Sequence, residues 1–266
     1  MHSLLLAHVS DPHASVGGPL YGTVDGIDRL DLVGLSLREM GVNPDAVIVA
    51  GDLVQSGHTE AYTDVAAALT RLEASTGAPV LIVPGNHDHP LAFLTLPQST
   101  GVNRRIAYVG QTRLALLDSS TGSLGSTQLE WLAGELREPH QDGTVVVLHH
   151  PPTPSPLPAL AGRELSDADE LAAVIAASDV RMILAGHFHH SLSAQLGSVP
   201  ISVSPALSYQ QDPTAAPESV RGVDSPAYSL VRLTDRGHSV VSVALRPSEV
   251  LFNSHSRHIT AISHLN

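Results

Sequence analysis

The segment Val80-Leu81-Ile82-Val83-Pro84-Gly85-Asn86-His87-Asp88 joins four aliphatic residues to a Pro-Gly pair and three polar side chains. The aliphatic run predicts a buried strand, and Pro-Gly predicts that the strand ends there. The same order, an aliphatic run followed by Asp or His, recurs at residues 47–52, 145–150 and 182–189. This repetition predicts an α/β protein whose functional residues lie at the C-terminal ends of its strands.

Strand and helix patterns alternate through the first 190 residues, which favours a layered α/β core. The predicted strands are Ser3–Val9, Asp45–Ala50, Val80–Val83, Arg113–Leu117, Thr144–Leu148 and Arg181–Ala185. The predicted helices are Gly26–Met40, Glu60–Ser75, Thr127–Leu136 and Asp167–Ala177. Three later strands without helices between them predict antiparallel extension of the sheet: Val199–Val203, Ala227–Leu233 and Ser239–Leu245. We expect a single domain over residues 1–246, followed by a tail or oligomerisation segment over residues 247–266.

The composition excludes several classes of protein. The 266 residues include no Cys, and all 14 basic residues are Arg, which rules out disulfides, thiol nucleophiles, Schiff-base lysines and a phosphate loop ending in Gly-Lys. A formal net charge of −12 argues against duplex nucleic acid as a partner. The N-terminal apolar run reaches Asp11 too soon for a signal peptide, and no stretch is long enough to span a bilayer. We therefore expect a cytoplasmic protein.

Eight polar side chains at the predicted strand ends have the chemistry of a metal site. They are Asp11, His13, Asp52, Asn86, His87, His149, His187 and His189. Without Cys, any metal must be held through oxygen or nitrogen. Residues two apart share a side of an extended segment, so we expect Asp11 and His13 to converge on one ion. The same spacing aims His187 and His189 at one place. The series has the layout of a two-metal hydrolase.

The motifs Asp-X-His, Gly-Asp, Gly-Asn-His-Asp, His-X-Pro and Gly-His-X-His, over roughly residues 3–205, resemble those of the calcineurin-like metallophosphoesterases. Residues 148–152 and 185–189, followed by Val199–Gln211, also resemble the class III cyclic-nucleotide phosphodiesterases. The resemblance implies a four-layer α/β/β/α sandwich with a dinuclear metal site at the C-terminal ends of its strands. It implies that Asp52 bridges two ions and that His87 is catalytic. The other implied ligands are Asp11, His13 and His189 for one ion and Asn86, His149 and His187 for the other.

The ions implied are Mn²⁺, Fe²⁺ or Fe³⁺, or Zn²⁺, since oxygen and nitrogen ligands suit all of them.

The residues after Asp52 restrict the class of phosphoester that we expect as substrate. Related protein phosphatases have Asp-Arg in this segment, and purple acid phosphatases have a metal-bound Tyr, whereas this chain has Gln55 and Ser56. A phosphodiester carries less negative charge than a monoester and needs fewer Arg. We predict a phosphodiesterase that hydrolyses 3′,5′-cAMP and cGMP, or 2′,3′-cyclic nucleotides, through a metal-bridging hydroxide, with Asn86, His87 and Tyr209 as substrate contacts.

Two other functions stay open. One is a glycerophosphodiesterase or broad hydrolase of small phosphodiesters, because such enzymes share nearly the same motifs. The other is a non-catalytic metallophosphoesterase-like scaffold, which is disfavoured because scaffolds usually lose ligands and none is missing here. Because relatives often dimerise, the resemblance also implies a homodimer, with residues 247–266 as a candidate interface segment.

Overall fold

A computed structural model describes residues 3–246, in which two mixed β-sheets pack together. The strands are β1 (Leu4–Val9), β2 (Ala46–Ala50), β3 (Val80–Val83), β4 (Arg105–Val109), β5 (Thr112–Leu116), β6 (Thr144–Val147), β7 (Val180–Ala185), β8 (Leu192–Leu196), β9 (Val199–Val203), β10 (Gln210–Gln211), β11 (Gly222–Val223), β12 (Ala227–Thr234) and β13 (Gly237–Ala244). The helices are α1 (Gly26–Glu39), α2 (Tyr62–Thr76), α3 (Pro90–Phe93), α4 (Ser126–Glu135) and α5 (Ala168–Ile175), with 3₁₀ turns at Thr59–Ala61, Pro97–Ser99 and Pro158–Leu160. The predicted tail, residues 247–266, lies outside the described residues. Between residues 3 and 246, no helix is long and apolar enough to cross a membrane.

The first sheet has the strand order β13-β12-β1-β2-β3. β1, β2 and β3 run parallel, and β12 and β13 extend the β1 edge as antiparallel strands. All five residues of β2 are buried, as expected for a central parallel strand that is covered on both faces. The predicted antiparallel extension is therefore confirmed for this sheet.

The second sheet has the order β4-β5-β6-β7-β9-β8. β5, β6, β7 and β9 run parallel, and β4 and β8 are antiparallel edge strands. The prediction of antiparallel pairing is wrong where β9 meets β7. A tight turn at Gly197 (φ +60°) reverses the chain between β8 and β9, and this reversal returns β9 to the direction of β7.

The apolar side chains form three clusters that define four layers. Alternate residues of a strand face opposite sides of the sheet. Leu6 and Ile48 therefore face the second sheet, whereas Val49 faces α1 and α2. In the second sheet, Val147 faces the first sheet and Val146 faces α4 and α5. The predicted α/β class and the α/β/β/α layer order are confirmed.

Hydrogen bonds between loops bring the motifs of both sheets to one edge of the sandwich. Asp11 N donates to Gly51 O (3.1 Å), which joins the loops after β1 and β2. Gly186 N donates to His149 O (3.0 Å), which joins the loops after β7 and β6. The candidate site forms where these loops meet.

Candidate metal centre

Several predicted ligands lie on sharp turns rather than on extended strands. Within residues 3–246, seven non-glycine residues have positive φ, and five of them are predicted ligands: Asp11, His13, Asp52, His187 and His189. β1 and β7 end before their motifs begin. The prediction that strand alternation aligns the pairs 11/13 and 187/189 is therefore wrong, because left-handed backbone directs these side chains. Such a conformation costs about 1–3 kcal/mol per residue and concentrates at functional sites.

The ligand atoms gather in two groups. We call Asp11, His13 and His189 the first ligand group, and Asp52, His149 and His187 the second ligand group. Within each group, one side-chain atom per residue lies within 4.8 Å of the others. Asp52 Oδ2 lies 3.5 Å from His13 Nε2 and 3.3 Å from His149 Nε2. Asp52 therefore lies between the two groups, where a bridging ligand belongs.

Three of the imidazoles are held through Nδ1 by oxygen atoms that can only accept a hydrogen bond. The pairs are His13 with Gln55 Oε1 (2.8 Å), His149 with Ala50 O (2.7 Å) and His189 with Tyr209 O (3.0 Å). Nδ1 must therefore carry a proton in each pair, so in the neutral form of each ring Nε2 offers its lone pair. An acceptor on the second ring nitrogen is what orients metal-binding histidines.

Two buried atoms of the groups lack a hydrogen-bond partner within the described part of the chain: Asp11 Oδ1 and His149 Nε2. A buried polar atom without a partner costs about 1–3 kcal/mol. A divalent cation would interact with both atoms, and carboxylate and imidazole ligands are the types that manganese, iron and zinc accept. The residues fit divalent metal binding, and their chemistry does not select one metal.

Glycines in the motifs leave the space that the ligands need. A Cβ at Gly51 would lie 2.5 Å from His149 Nδ1, and one at Gly85 would overlap Asp52 Oδ1. Gly51 also has φ +88°, which disfavours other residues. The Gly-Asp and Gly-Asn-His-Asp motifs therefore place two ligands by close packing as well as by sequence order.

Burial and neighbouring charges set the protonation of the groups. Burial lowers the pKa of His13 to about 4 and that of His187 to about 3, so both rings are neutral at pH 7. Burial acts to raise the pKa of Asp11, but His189 and His149 outweigh it and hold that pKa well below its usual range. Burial acts to lower the pKa of His149, but the Asp52 carboxylate raises it to about 9. A metal ligand must be deprotonated, so metal binding would release this proton.

The predicted catalytic residue, His87, lies beside both groups. Its ring centroid is 4.7 Å from that of His13, and its backbone N donates to Asp52 Oδ1 (2.7 Å). One of its ring nitrogens also lies within 4.8 Å of ligand atoms of His13 and Asp52. The geometry therefore allows His87 either to bind a metal or to face the substrate.

The remaining predicted site residues, Asn86 and Tyr209, have different neighbours among the ligands. Asn86 is exposed and lines a cavity of about 360 Å³ with His187 and Arg163. The Tyr209 ring centroid lies 4.3 Å from that of His189. All the residues predicted for the site are thus brought to one region.

Sequence reasoning missed two supporting contacts. The sequence comparison used Gln55 only as a residue that differs from the Asp-Arg and Tyr of related phosphatases. In the structure, its side chain orients His13. The backbone carbonyl of Tyr209, which holds His189, leaves no mark in the sequence because every residue has one. The position of Gln55 three residues after Asp52, in the loop that follows β2, was the available signal.

Comparisons with known proteins agree with this geometry. The profile of the family described as calcineurin-like phosphoesterase matches residues 4–191. A cAMP/cGMP dual specificity phosphodiesterase of Mycobacterium tuberculosis (strain CDC 1551 / Oshkosh) is 38% identical over 231 residues, which are 83% of this chain and 72% of that protein. The chain belongs to the calcineurin-like phosphoesterase family, the class that its four layers and its His/Asp groups define.

Two further similarities bear on the fold and the substrate. A glycerophosphodiester phosphodiesterase of Enterobacter lignolyticus is 32% identical over 78% of this chain and 78% of that protein. A crystal structure of a dimetal phosphatase from Danio rerio covers 91% of this chain and 99% of that chain, with a TM-score of 0.60 and 14% identity. This structural likeness supports the fold. The two enzyme relatives are named for different substrates, so their names alone do not decide the substrate of this chain.

Proposed function

We propose that the protein is a two-metal phosphodiesterase that hydrolyses cyclic nucleotides. As a member of its family with relatives named phosphodiesterases, the chain is a phosphoric diester hydrolase. The finer choice of cyclic nucleotides is supported by the Mycobacterium tuberculosis relative, which at 38% identity is nearer than the glycerophosphodiester phosphodiesterase at 32%. Both 3′,5′-cyclic and 2′,3′-cyclic nucleotides belong to the proposed substrate class.

Two sets of residues would hold the metals. The first ligand group with Asp52 would bind one ion, and the second ligand group with Asn86 would bind the other. When bound, divalent ions activate water and offset the charge on the phosphoryl oxygens. Manganese, iron and zinc all suit these ligands.

The chain itself supplies a proton donor beside the metals. Ser56 N lies 3.5 Å from His87 Nδ1, and the ring is beside both ligand groups. As an imidazolium, the ring can donate a proton to the departing alkoxide oxygen and become neutral imidazole, which is general acid catalysis. The Asn86 side-chain N–H groups can donate to a phosphoryl oxygen, because this residue is exposed in the adjoining cavity.

One observation carries the proposal: buried Nε2 atoms from separate loops face the Asp11 and Asp52 carboxylates while their Nδ1 atoms are already engaged. His189 Nε2 is 3.3 Å from Asp11 Oδ1, and His149 Nε2 is 3.3 Å from Asp52 Oδ2. Although these charged groups lie close together, Asp11 Oδ1 and His149 Nε2 are buried without a hydrogen bond among the described residues, which an arrangement that served folding alone would not favour.

A kinetic panel tests the proposal. Protein loaded separately with Mn²⁺, Fe²⁺ and Zn²⁺ is assayed on 3′,5′-cAMP, cGMP, 2′,3′-cAMP, glycerophosphoethanolamine and bis(p-nitrophenyl) phosphate. We expect the highest kcat/KM on a cyclic nucleotide. His189→Ala should abolish turnover, and His190→Ala, which changes a neighbouring histidine outside both ligand groups, should retain it. Absence of diester hydrolysis with every metal would refute the proposal.

Hydrolysis of glycerophosphodiesters is a second candidate, favoured by the Enterobacter lignolyticus relative. This second function is supported if glycerophosphoethanolamine gives a higher kcat/KM than every cyclic nucleotide in the same panel. A non-catalytic scaffold would bind metal and hydrolyse none of the diesters.

We further propose that residues 1–246 act as one domain and that residues 247–266 are a tail or an oligomerisation segment of a homodimer. Light scattering of the full chain and of a truncation after Arg246 tests this. Equal monomer masses would contradict the homodimer. Cytoplasmic location stays a prediction from the sequence.

A further inference from the structure

A pocket of about 330 Å³ opens beside the first ligand group. We call it the aromatic pocket; its lining includes Tyr21, Thr23, Tyr209, Gly222, Val223 and Asp224. The Tyr209 ring centroid lies 4.3 Å from that of His189 and 6.4 Å from that of His13. The pocket therefore begins where the candidate metal ligands end.

Two tyrosine rings shape the pocket. The ring centroids of Tyr21 and Tyr209 are 5.7 Å apart and their planes are nearly perpendicular, at 81°. Tyr21 is 75% exposed although it is a large aromatic residue, and it has the left-handed φ of 52° otherwise concentrated in the predicted ligands. Packing does not account for this exposed ring, because little of it is buried in the fold.

The position of Tyr209 is fixed from several sides. Ser208 N donates to Asp11 O (3.0 Å), and the buried Arg29 guanidinium donates to Leu207 O and Ser208 O. A Cβ at Gly222 would lie 2.8 Å from Tyr209 Cδ2, so glycine at this position leaves room for the ring. The ring is thus held in place before any ligand binds, which lowers the entropy that binding must offset.

The charge of the pocket indicates what kind of group it accepts. Among the described residues that line it, Asp224 is the one carboxylate. Its Oδ1 is 2.6 Å from Arg29 Nη2 and its Oδ2 is 2.5 Å from Arg246 Nη2. Because both oxygens are already paired with guanidinium groups, this described lining has no unpaired carboxylate for a cationic headgroup. An uncharged, flat and partly apolar group suits it better.

We propose that the aromatic pocket binds the nucleobase of the substrate, with Tyr21 and Tyr209 as specificity-determining residues. The inference rests on the proposed function, because it takes the phosphate to lie at the ligand groups. In a cyclic nucleotide the base is one ribose away from the phosphate, and Tyr209 contacts both the first ligand group and the pocket. Stacking on an aromatic ring suits every base, so the pocket predicts tolerance between adenine and guanine.

The test compares substrates with and without a base. Wild type, Tyr21→Ala, Tyr209→Leu and Tyr21→Phe are assayed on 3′,5′-cAMP and on the cyclic phosphate of 1,3-propanediol, a six-membered cyclic diester that has no base. Stacking of one base corresponds to about a 5- to 150-fold change in affinity. Tyr21→Ala should therefore lower the ratio of kcat/KM on 3′,5′-cAMP to kcat/KM on the base-free diester by that factor. Tyr21→Phe keeps the ring face and should restore the ratio. Tyr108→Ala removes another exposed tyrosine outside the pocket and should change neither activity.

Binding of products separates this inference from the proposed function. Calorimetry on wild type and Tyr21→Ala measures the affinities of 5′-AMP, ribose 5-phosphate and glycerophosphocholine. We expect 5′-AMP to bind wild type more tightly than ribose 5-phosphate does, and Tyr21→Ala to remove that difference.

Three outcomes separate the two proposals. If wild type turns over cAMP but Tyr21→Ala and Tyr209→Leu lower both kcat/KM values equally, the pocket proposal is wrong and the proposed function stands. If wild type fails to hydrolyse cyclic nucleotides while 5′-AMP affinity still depends on Tyr21, the proposed function is wrong and the pocket stands. If Tyr21→Ala weakens binding of glycerophosphocholine but not of 5′-AMP, the pocket binds a cationic alcohol and the inference is wrong.

Discussion

The two ligand groups differ in what holds their imidazoles. In the first group, His13 is held by the side chain of Gln55 and His189 by the backbone carbonyl of Tyr209. In the second group, His149 is held by the backbone carbonyl of Ala50 at the end of the central strand β2. The first group thus depends on a replaceable side chain and a loop, whereas His149 of the second group depends on the backbone of the sheet.

This difference predicts that the two proposed metal sites respond differently to mutation. Backbone atoms of a buried strand stay in place when side chains change, so the second site should be rigid. The first site should be tunable, because its orienting groups come from the loop after β2 and from the loop that also forms the aromatic pocket. Asp52 is common to both sites and should show no such asymmetry.

The largest effect is expected from the shared carboxylate. Asp52→Asn should weaken binding of both ions, whereas Asp11→Asn should weaken mainly the ion of the first group. Loss of a group that stabilises transition-state charge costs about 10²–10³-fold in kcat, and we expect Asp52→Asn to cost at least that much. Metal content after dialysis, measured by mass spectrometry, distinguishes the two variants.

Asp64→Asn changes an exposed carboxylate on α2 and serves as the control, with metal content and activity as in wild type. If Asp52→Asn retained as much metal as Asp11→Asn, Asp52 would not be shared between the groups.

A smaller effect, on stability as well as on metal binding, is expected at Gly51. Gly51→Ala and Gly57→Ala both place a side chain at positive φ, +88° and +83° respectively, which costs about 1–2 kcal/mol. At Gly51 the new Cβ would also lie 2.5 Å from His149 Nδ1, whereas at Gly57 it meets open space. Chemical denaturation should show a larger loss in the free energy of unfolding for Gly51→Ala, and a metal titration should show binding weakened most at the second group, which contains His149. Equal losses would mean that the contact with His149 relaxes without cost.

The sequence was informative where side chains are tightly constrained. β2 and β3 are buried throughout, although β3 lies at the edge of the first sheet, so their aliphatic runs predicted them within a residue. β4 and β8 were missed because these two edge strands are only partly buried and tolerate mixed residues such as those of Leu192–Leu196. For these four strands, predictability therefore followed burial, whereas β13 was predicted although most of it is exposed.

The site shows the same limit in another form. The types of the predicted ligands were readable, because metal chemistry demands Asp, Asn and His. Their orientation was not, because left-handed turns at non-glycine residues such as Asp11 and His187 are decided by the surrounding loops. Backbone acceptors such as Ala50 O have no residue signature at all. Gln55 was visible in the sequence, but its contact with His13 depends on a turn that only the structure shows.

The smallest effect is expected from removing the side chain that supports the first group. Gln55→Leu keeps a similar size but cannot accept from His13 Nδ1, whereas Gln55→Glu keeps an acceptor oxygen. Loss of such a supporting hydrogen bond costs about 10- to 100-fold in metal affinity. In a calorimetric metal titration, Gln55→Leu should therefore weaken one of two binding steps and leave the other unchanged. Gln55→Glu should bind metal at that step with an affinity close to that of wild type. Gln141→Leu, at an exposed glutamine, controls for the loss of an amide. If both binding steps weakened together, the two groups would be coupled through Asp52 more strongly than their separate supports imply, and the contrast between a tunable and a rigid site would fail.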